Sequence, residues 1–354
     1  MEVYLDHESS PKVPREIAKV VFEYMTEKGY GSPSVPYKPG LEAFEVLYEL
    51  QEILSDMFDG MAIFLPGGSE ANNLILRGAT KGKLIVSSIE HESVLYTARG
   101  LGVKLVEIPV DEAGHVKLDE LDEALDKEVT FVSIQLVNQE LGSINDIKAV
   151  RDLLSDKGIN ALLHVDACDG FLRVNLPDVD ALTLSGAKVY APRGSGILLI
   201  REDVDLPGLI EGPSLLQEYW KGRINVPSLA GMLKAIHMFD RDTWIKVKEM
   251  KDFLGKELGE IEGVHINSPE ESIDTLSISI EGKVDVAILE LSKRGVYLSK
   301  AGGEVSYVLL SIGKDDVLAR NRLTLRIAPF NTWEEIRYVV DVMSEVLPKV
   351  PRDE

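Results

Sequence analysis

Residues 62–65, 84–87, 104–108, 130–134, 161–165, 181–184 and 196–200 are short runs rich in β-branched and other apolar side chains. Between several of them lie stretches with helical spacing of apolar positions, at 69–78, 92–100 and 147–157. Several runs are apolar throughout rather than alternating, as in strands covered by helices on both faces. Strands and helices alternating at this spacing predict a largely parallel, doubly covered sheet. After about residue 235 the pattern changes: a long charged helix over 241–260, a strand at 275–280, a helix over 284–294, a strand at 324–327 and a last helix over 333–347. The first helix is expected over 14–28, with Pro14 near its start and Gly29 at its stop. The chain therefore reads as an α/β fold, with a large α/β domain over 15–235 and a smaller α+β domain from 1–14 and 236–354. Ligands on such sheets bind beyond the carboxyl ends of the strands.

Composition narrows the partners. Lys plus Arg number 38 against 59 for Asp plus Glu, a net charge of −21 that speaks against a nucleic-acid surface or an anionic membrane. With 45% hydrophobic residues the 354-residue chain can bury a full core. No apolar run reaches the roughly 18 residues of a membrane span. Acids in Met1-Glu2-Val3-Tyr4-Leu5-Asp6 replace the basic start of an export signal. A single cysteine, Cys168, cannot form an internal disulfide, so the cytoplasm is the expected compartment.

Three segments at strand ends carry candidate chemistry. Pro66-Gly67-Gly68-Ser69-Glu70-Ala71-Asn72 follows a strand and opens a helix. Its glycines let a ligand approach the backbone, and free N–H groups with the Ser69 hydroxyl form an anion site. A plain turn with Ser69 as N-cap is the alternative. In Leu163-His164-Val165-Asp166-Ala167-Cys168-Asp169, an extended strand would put His164, Asp166 and Cys168 on one face. Zinc is one reading, but no second His/Cys cluster supplies further ligands and no metal is expected. A structural acid with a partner, or an acid aimed at a cationic cofactor nitrogen, are the others. The third segment sets Lys188 between apolar runs in a Gly/Pro-rich turn. Burial would lower its pKa and make it nucleophilic, whereas a loop lysine paired with an acid would not be. A lysine for an aldehyde, an acid for a pyridinium nitrogen and a helix end for a phosphate together describe pyridoxal 5'-phosphate.

Further motifs follow in order: Tyr4-Leu5-Asp6-His7, Gly31-Ser32-Pro33-Ser34, Gly67-Gly68-Ser69-Glu70, Glu90-His91, Val137-Asn138-Gln139-Glu140-Leu141-Gly142, His164-Val165-Asp166-Ala167, Ser185-Gly186-Ala187-Lys188 and Leu325-Arg326-Ile327-Ala328. Together they resemble the class V aminotransferase family of fold-type I pyridoxal-phosphate enzymes, and within it the NifS/IscS-type cysteine desulfurases. The resemblance implies the fold-type I large domain, with a mostly parallel sheet, and a smaller α+β domain. It implies that Lys188, beside Ser185, carries the cofactor as a Schiff base and moves the α-proton. Asp166 would pair with the ring nitrogen, and His91 would stack on the ring unless it is a structural histidine. Gly68 and Ser69 fall in the phosphate turn, and Gln139 near cofactor and substrate. Arg326 would hold the substrate carboxylate in a bidentate pair, with a surface ion pair as the alternative.

Departures from the family are equally specific. Ala187 replaces a phosphate-binding histidine, and Asp169 replaces a glutamine that donates to the ring O3′ oxygen. Gln139 stands for a second asparagine. Arg223, in Trp220-Lys221-Gly222-Arg223, falls where a partner subunit's threonine meets the phosphate. The segment from Leu298 to Leu309 is short and lacks the family's persulfide cysteine. The expected function is cysteine desulfurase-like chemistry on a small α-amino acid, in a homodimer, with any sulfur-acceptor protein unidentified. A class V aminotransferase, a β-lyase without protein persulfide, and a non-catalytic scaffold are the alternatives.

Overall fold

The computed structural model describes residues 1–207, 221–300 and 302–352. Among the described residues, seven strands build a central sheet in the order Met61–Leu65, Gly196–Ile200, Ala181–Ser185, Leu162–Asp166, Val129–Ser133, Lys83–Ser87 and Leu105–Ile108. All run the same way except Gly196–Ile200, which is antiparallel to both neighbours. The turn from Ser185 to Gly196 is too short for a crossover, so the chain returns beside the strand it has just left.

Alternate side chains of one strand feed two cores. Ile197 and Leu199 join Val165, Leu182, Leu184 and Met232 on one face. Leu198 and Ile200 join Leu74, Ile75, Val86 and Val94 on the other. Helices Gly68–Ala79 and Glu92–Gly100 pack together over this second core. Helix Val226–Met238 packs against Arg15–Thr26 and Lys38–Ser55 on the first side. Lys38–Ser55 is an element the pattern reading passed over, although buried Ala43, Val46, Leu47, Leu50 and Leu54 recur at helical spacing.

Beyond the large sheet, strands Arg322–Arg326, Thr275–Ile280 and Val264–Ile266 form an antiparallel sheet in that order. Helices Arg241–Gly259 and Trp333–Val346 pack beside it. The N-terminal strand Val3–Tyr4 pairs parallel with Val296–Tyr297. The Arg326 backbone N–H then donates to the Leu5 carbonyl at 2.9 Å. This stitch carries the segment after Leu5 to the end of the strand that bears Arg326. Among the described residues, no helix is long and apolar enough to cross a membrane.

Candidate active site

The parallel strands end on one edge of the large sheet, and Gly68, His91, Gln139, Asp166 and Lys188 all lie at the strand ends or in the segments that follow them there. Close packing explains the glycines there. A Cβ on Gly196 would lie 2.3 Å from the Gly67 carbonyl carbon, and one on Gly68 would lie 2.6 Å from Cys168 Sγ. That position is also 3.6 Å from the Ser185 Cβ, so no side chain fits between the helix start, the turn after Asp166 and the strand end before Lys188. The helix begins at Gly68 with Gly67 at the cap and no side chain bonded there. Ser69 is therefore inside the first turn rather than the N-cap, and the helix end lacks a side-chain cap.

Asp166 closes its strand, with the carboxylate buried and held on both oxygens. Asn72 Nδ2 donates to Oδ2 at 2.7 Å, and the Cys168 N–H donates to Oδ1 at 3.0 Å. Asn72 Nδ2 also donates to Ser93 Oγ at 2.9 Å, and Ser93 Oγ lies 2.8 Å from His91 Nδ1. The Ser93 backbone N–H donates to the same Nδ1 at 3.1 Å. That bond makes Nδ1 an acceptor, so the neutral ring carries its proton on Nε2. His91 also borders an open cavity of about 420 Å³ with Ser69, Asn73, Arg77 and Tyr96. Sequence reasoning missed Asn72 and Ser93. A buried asparagine in the second turn of a helix opened by two glycines was the available signal.

The strand stops at Asp166, so Cys168 does not share a strand face with His164 and Asp166 as expected. It lies in the following turn, buried, with Sγ 3.8 Å from the Thr183 carbonyl oxygen. Burial first, and Asp166 next, push its thiol pKa up. His164 is enclosed between Ser133 Oγ at 2.8 Å and Thr183 Oγ1 at 2.9 Å, and burial lowers its pKa to about 4. Among the described residues no group of three His, Cys, Asp or Glu could hold a metal ion.

Lys188 sits in the short turn Ala187–Val189 and meets two acids. Its Nζ is 2.6 Å from Glu8 Oε1 and 3.3 Å from Asp169 Oδ1. Burial alone would lower its pKa, as expected from the sequence. Asp169 and Glu8 outweigh that effect and hold the amine above its ordinary value, which corrects the expectation. Arg326, at the end of its strand, is fully buried rather than in a surface pair. Its Nη1 lies 2.8 Å from Glu8 Oε2 and its Nη2 2.6 Å from Asp169 Oδ1. Nε and Nη2 also donate to Thr275 Oγ1 at 3.2 and 3.0 Å. Asp274 stands 3.7 Å from Nε and accepts from Arg173 Nε at 2.8 Å. The Arg173 guanidinium lies over the Trp244 ring at 4.3 Å. Three acids thus face three cations.

The remaining candidates are spread around this core. The Asp169 carboxylate is turned to Lys188 and Arg326. Burial works against its ionised form, but Lys188 and Arg326 hold its pKa well below the carboxylate range. Gln139 Nε2 donates to Tyr307 Oη at 3.3 Å, and Tyr307 Oη donates to the Glu90 carbonyl at 2.7 Å. Burial raises the Glu90 carboxyl to about 8 and the Glu140 carboxyl to about 7, the latter against the pull of Arg322 3.2 Å away. Arg223 is exposed, just before helix Val226–Met238. Of the segments read from sequence, Trp220 and Ala301 lie outside the described residues.

A family model for aminotransferase class-V matches residues 3–339. Cysteine desulfurase IscS 1 of Archaeoglobus fulgidus is 31% identical, over 98% of this chain and 96% of its own length. Cysteine desulfurase IscS of Dictyoglomus turgidum is 30% identical, over 99% and 95%. Among solved structures, a NifS-like protein superposes with a TM-score of 0.89 at 28% identity, covering 98% of this chain and all of its own.

Proposed function

Because the chain belongs to the aminotransferase class-V family of pyridoxal-phosphate-dependent enzymes, we propose that it binds pyridoxal phosphate on Lys188 and desulfurates a small α-amino acid, cysteine, as its desulfurase relatives are named for doing. The single observation that carries the reading is Gly68. A Cβ there would clash with Cys168 Sγ, two residues beyond Asp166, and would meet the Ser185 Cβ, three residues before Lys188. One crowded glycine thus sets an uncapped helix end beside the turn that follows Asp166 and the strand end that precedes Lys188, and this supports a site with an anion-binding helix end, a carboxylate and an amine, the three groups this cofactor requires. The residues fit it.

When bound, the cofactor would supply an electron sink for loss of the Cα proton and cleavage of the Cβ–S bond. Once it gives up the proton that Glu8 and Asp169 stabilise on it, Lys188 would carry the aldehyde and later move the proton at Cα. Asp166, fixed by Asn72 and the Cys168 N–H, would pair with the ring nitrogen. His91, whose Nδ1 accepts from the Ser93 N–H, would offer its face to the ring, and Gly68, Ser69 and Ser185 would hold the phosphate. Arg326 binds the substrate carboxylate, with Gln139 nearby and Asp169 adjusting the charge.

We further assign a large unit over 15–235 and a smaller one from 1–14 and 236–354. The enzyme acts as a homodimer, in which exposed Arg223 meets the partner's cofactor phosphate. Its lone cysteine suits the cytoplasm. Because Cys168 is buried with a raised thiol pKa, it is not assigned to carry sulfur outward. A sulfur acceptor must come to the site, and a small dithiol can replace it in vitro.

Full-length similarity to desulfurases does not favour the aminotransferase, lyase or scaffold readings. Incubation with L-cysteine and dithiothreitol, assaying products separately, tests the proposal. Alanine and sulfide in equal amounts are expected. Pyruvate with ammonia would make the enzyme a lyase, amino transfer to an added oxo acid an aminotransferase, and no turnover would support a scaffold.

A further inference from the structure

Glu8 lies where a substrate carboxylate would be expected. Its two oxygens bridge Lys188 Nζ at 2.6 Å and Arg326 Nη1 at 2.8 Å. Arg326 Nη2 is taken by Asp169 and Thr275, and Nε by Thr275 with Asp274 behind it. Every nitrogen of the guanidinium already faces a group of this chain, although Nη1 meets Glu8 Oε2 as an ion pair and not through a hydrogen bond. The segment that delivers Glu8 is closely fastened. Tyr4 Oη donates to the Ser10 carbonyl at 2.7 Å, Ser299 Oγ donates to Asp6 at 2.6 Å, and the Lys12 N–H donates to His7 Nδ1 at 3.3 Å. Buried His7 meets the rings of Tyr4, Tyr190 and Phe330 edge-on at 5.0, 5.3 and 5.4 Å. Glu8 is therefore built into the site by anchors on both sides of it.

We propose that Glu8 is an internal carboxylate that competes with the substrate's own carboxylate for Arg326, and so sets how tightly this enzyme holds an α-amino acid. The inference rests on the proposed role of Arg326. An incoming carboxylate must displace Glu8 from Nη1 while passing Asp169, so carboxylates bind weakly. A ligand with an ammonium and no carboxylate instead meets two acids, and gains from Glu8. Glu8 thereby lowers discrimination between an α-amino acid and the corresponding amine. Its role is to tune specificity; it takes no part in bond breaking.

The test uses the full chain without cofactor and two probes that share a thiol: 3-mercaptopropionate, with a carboxylate and no amine, and cysteamine, with an amine and no carboxylate. Calorimetry on Glu8→Gln, which keeps the side-chain volume, should show 3-mercaptopropionate bound at least about tenfold more tightly and cysteamine more weakly. Glu8→Asp, too short to bridge both cations but still charged, should shift both affinities the same way by less. It also supplies the reading if Glu8→Gln does not fold, as judged by circular dichroism. Unchanged 3-mercaptopropionate affinity in the folded variant would overturn the proposal. Failure of the underlying reading is seen separately: the parent would then gain no visible absorption band when pyridoxal phosphate is added.

Discussion

On the Asp166 side of the site, Asn72, Ser93 and His91 pass hydrogen bonds from one side chain to the next. On the Lys188 side, six ionisable groups pair with opposite charges: Glu8, Asp169 and Asp274 against Lys188, Arg173 and Arg326. The first arrangement fixes the direction of a ring and a carboxylate with few charges to desolvate. The second removes many charges from water, and each stays tolerable because its partners are present. One side gains orientation. The other gains a charge pattern whose members depend on one another, and a ligand that changes one partner disturbs the rest.

The largest expected effect comes from breaking the ionic side. Asp274→Ala leaves Arg173, 1% exposed at its side chain, without its nearest acid. It should cost about 3–5 kcal/mol of stability, measured by urea unfolding. A loss below about 1 kcal/mol would mean that the cluster's members are not interdependent.

A smaller effect separates the two sides by pH. Asp169 and Asp274 have pKa values below their ordinary value of 3.8, so their contribution is present above that value and lost as pH falls below it. For each the sign runs against burial, and it follows from Lys188 and Arg326 at Asp169 and from Arg173 and Arg326 at Asp274. Glu90, near His91, runs the opposite way. Its carboxyl moves from 4.5 to about 8, because burial outweighs the bonds from Ser87 and the Gln135 N–H. The folded chain keeps a proton that the unfolded chain releases, so stability falls as pH rises from 4.5 to about 8. Glu90→Gln should remove a slope of up to about 1.4 kcal/mol per pH unit from that limb and leave the acid limb intact. Unfolding curves from pH 3 to 9 check both limbs, and an unchanged alkaline limb would remove Glu90 from the account.

The two sides also differ in how far they could be read from sequence. Asp166, His91 and Lys188 sit in short motifs at strand ends, where a few neighbouring residues were enough to mark them as candidates. The ionic partners come from far along the chain: Glu8 lies 180 positions from Lys188, and Asp274 lies 101 from Arg173. Nothing local marks Glu8 as the partner of either cation. That is why the pKa of Lys188 was expected to fall and is instead raised. Most strands and helices were legible from periodicity, since both sheet faces are buried. The reversed direction of Gly196–Ile200 was not, because direction is set by the length of the preceding turn. Cys168 was misplaced for a related reason: the strand ends two residues earlier than an unbroken extended run would.

The most direct test of the central claim is to load the protein with pyridoxal phosphate, reduce it with borohydride and map the labelled peptide. The account predicts that the label is on Lys188 and that Lys188→Ala abolishes the visible absorption of the loaded protein. Label on another lysine, or unchanged absorption in Lys188→Ala, would contradict it.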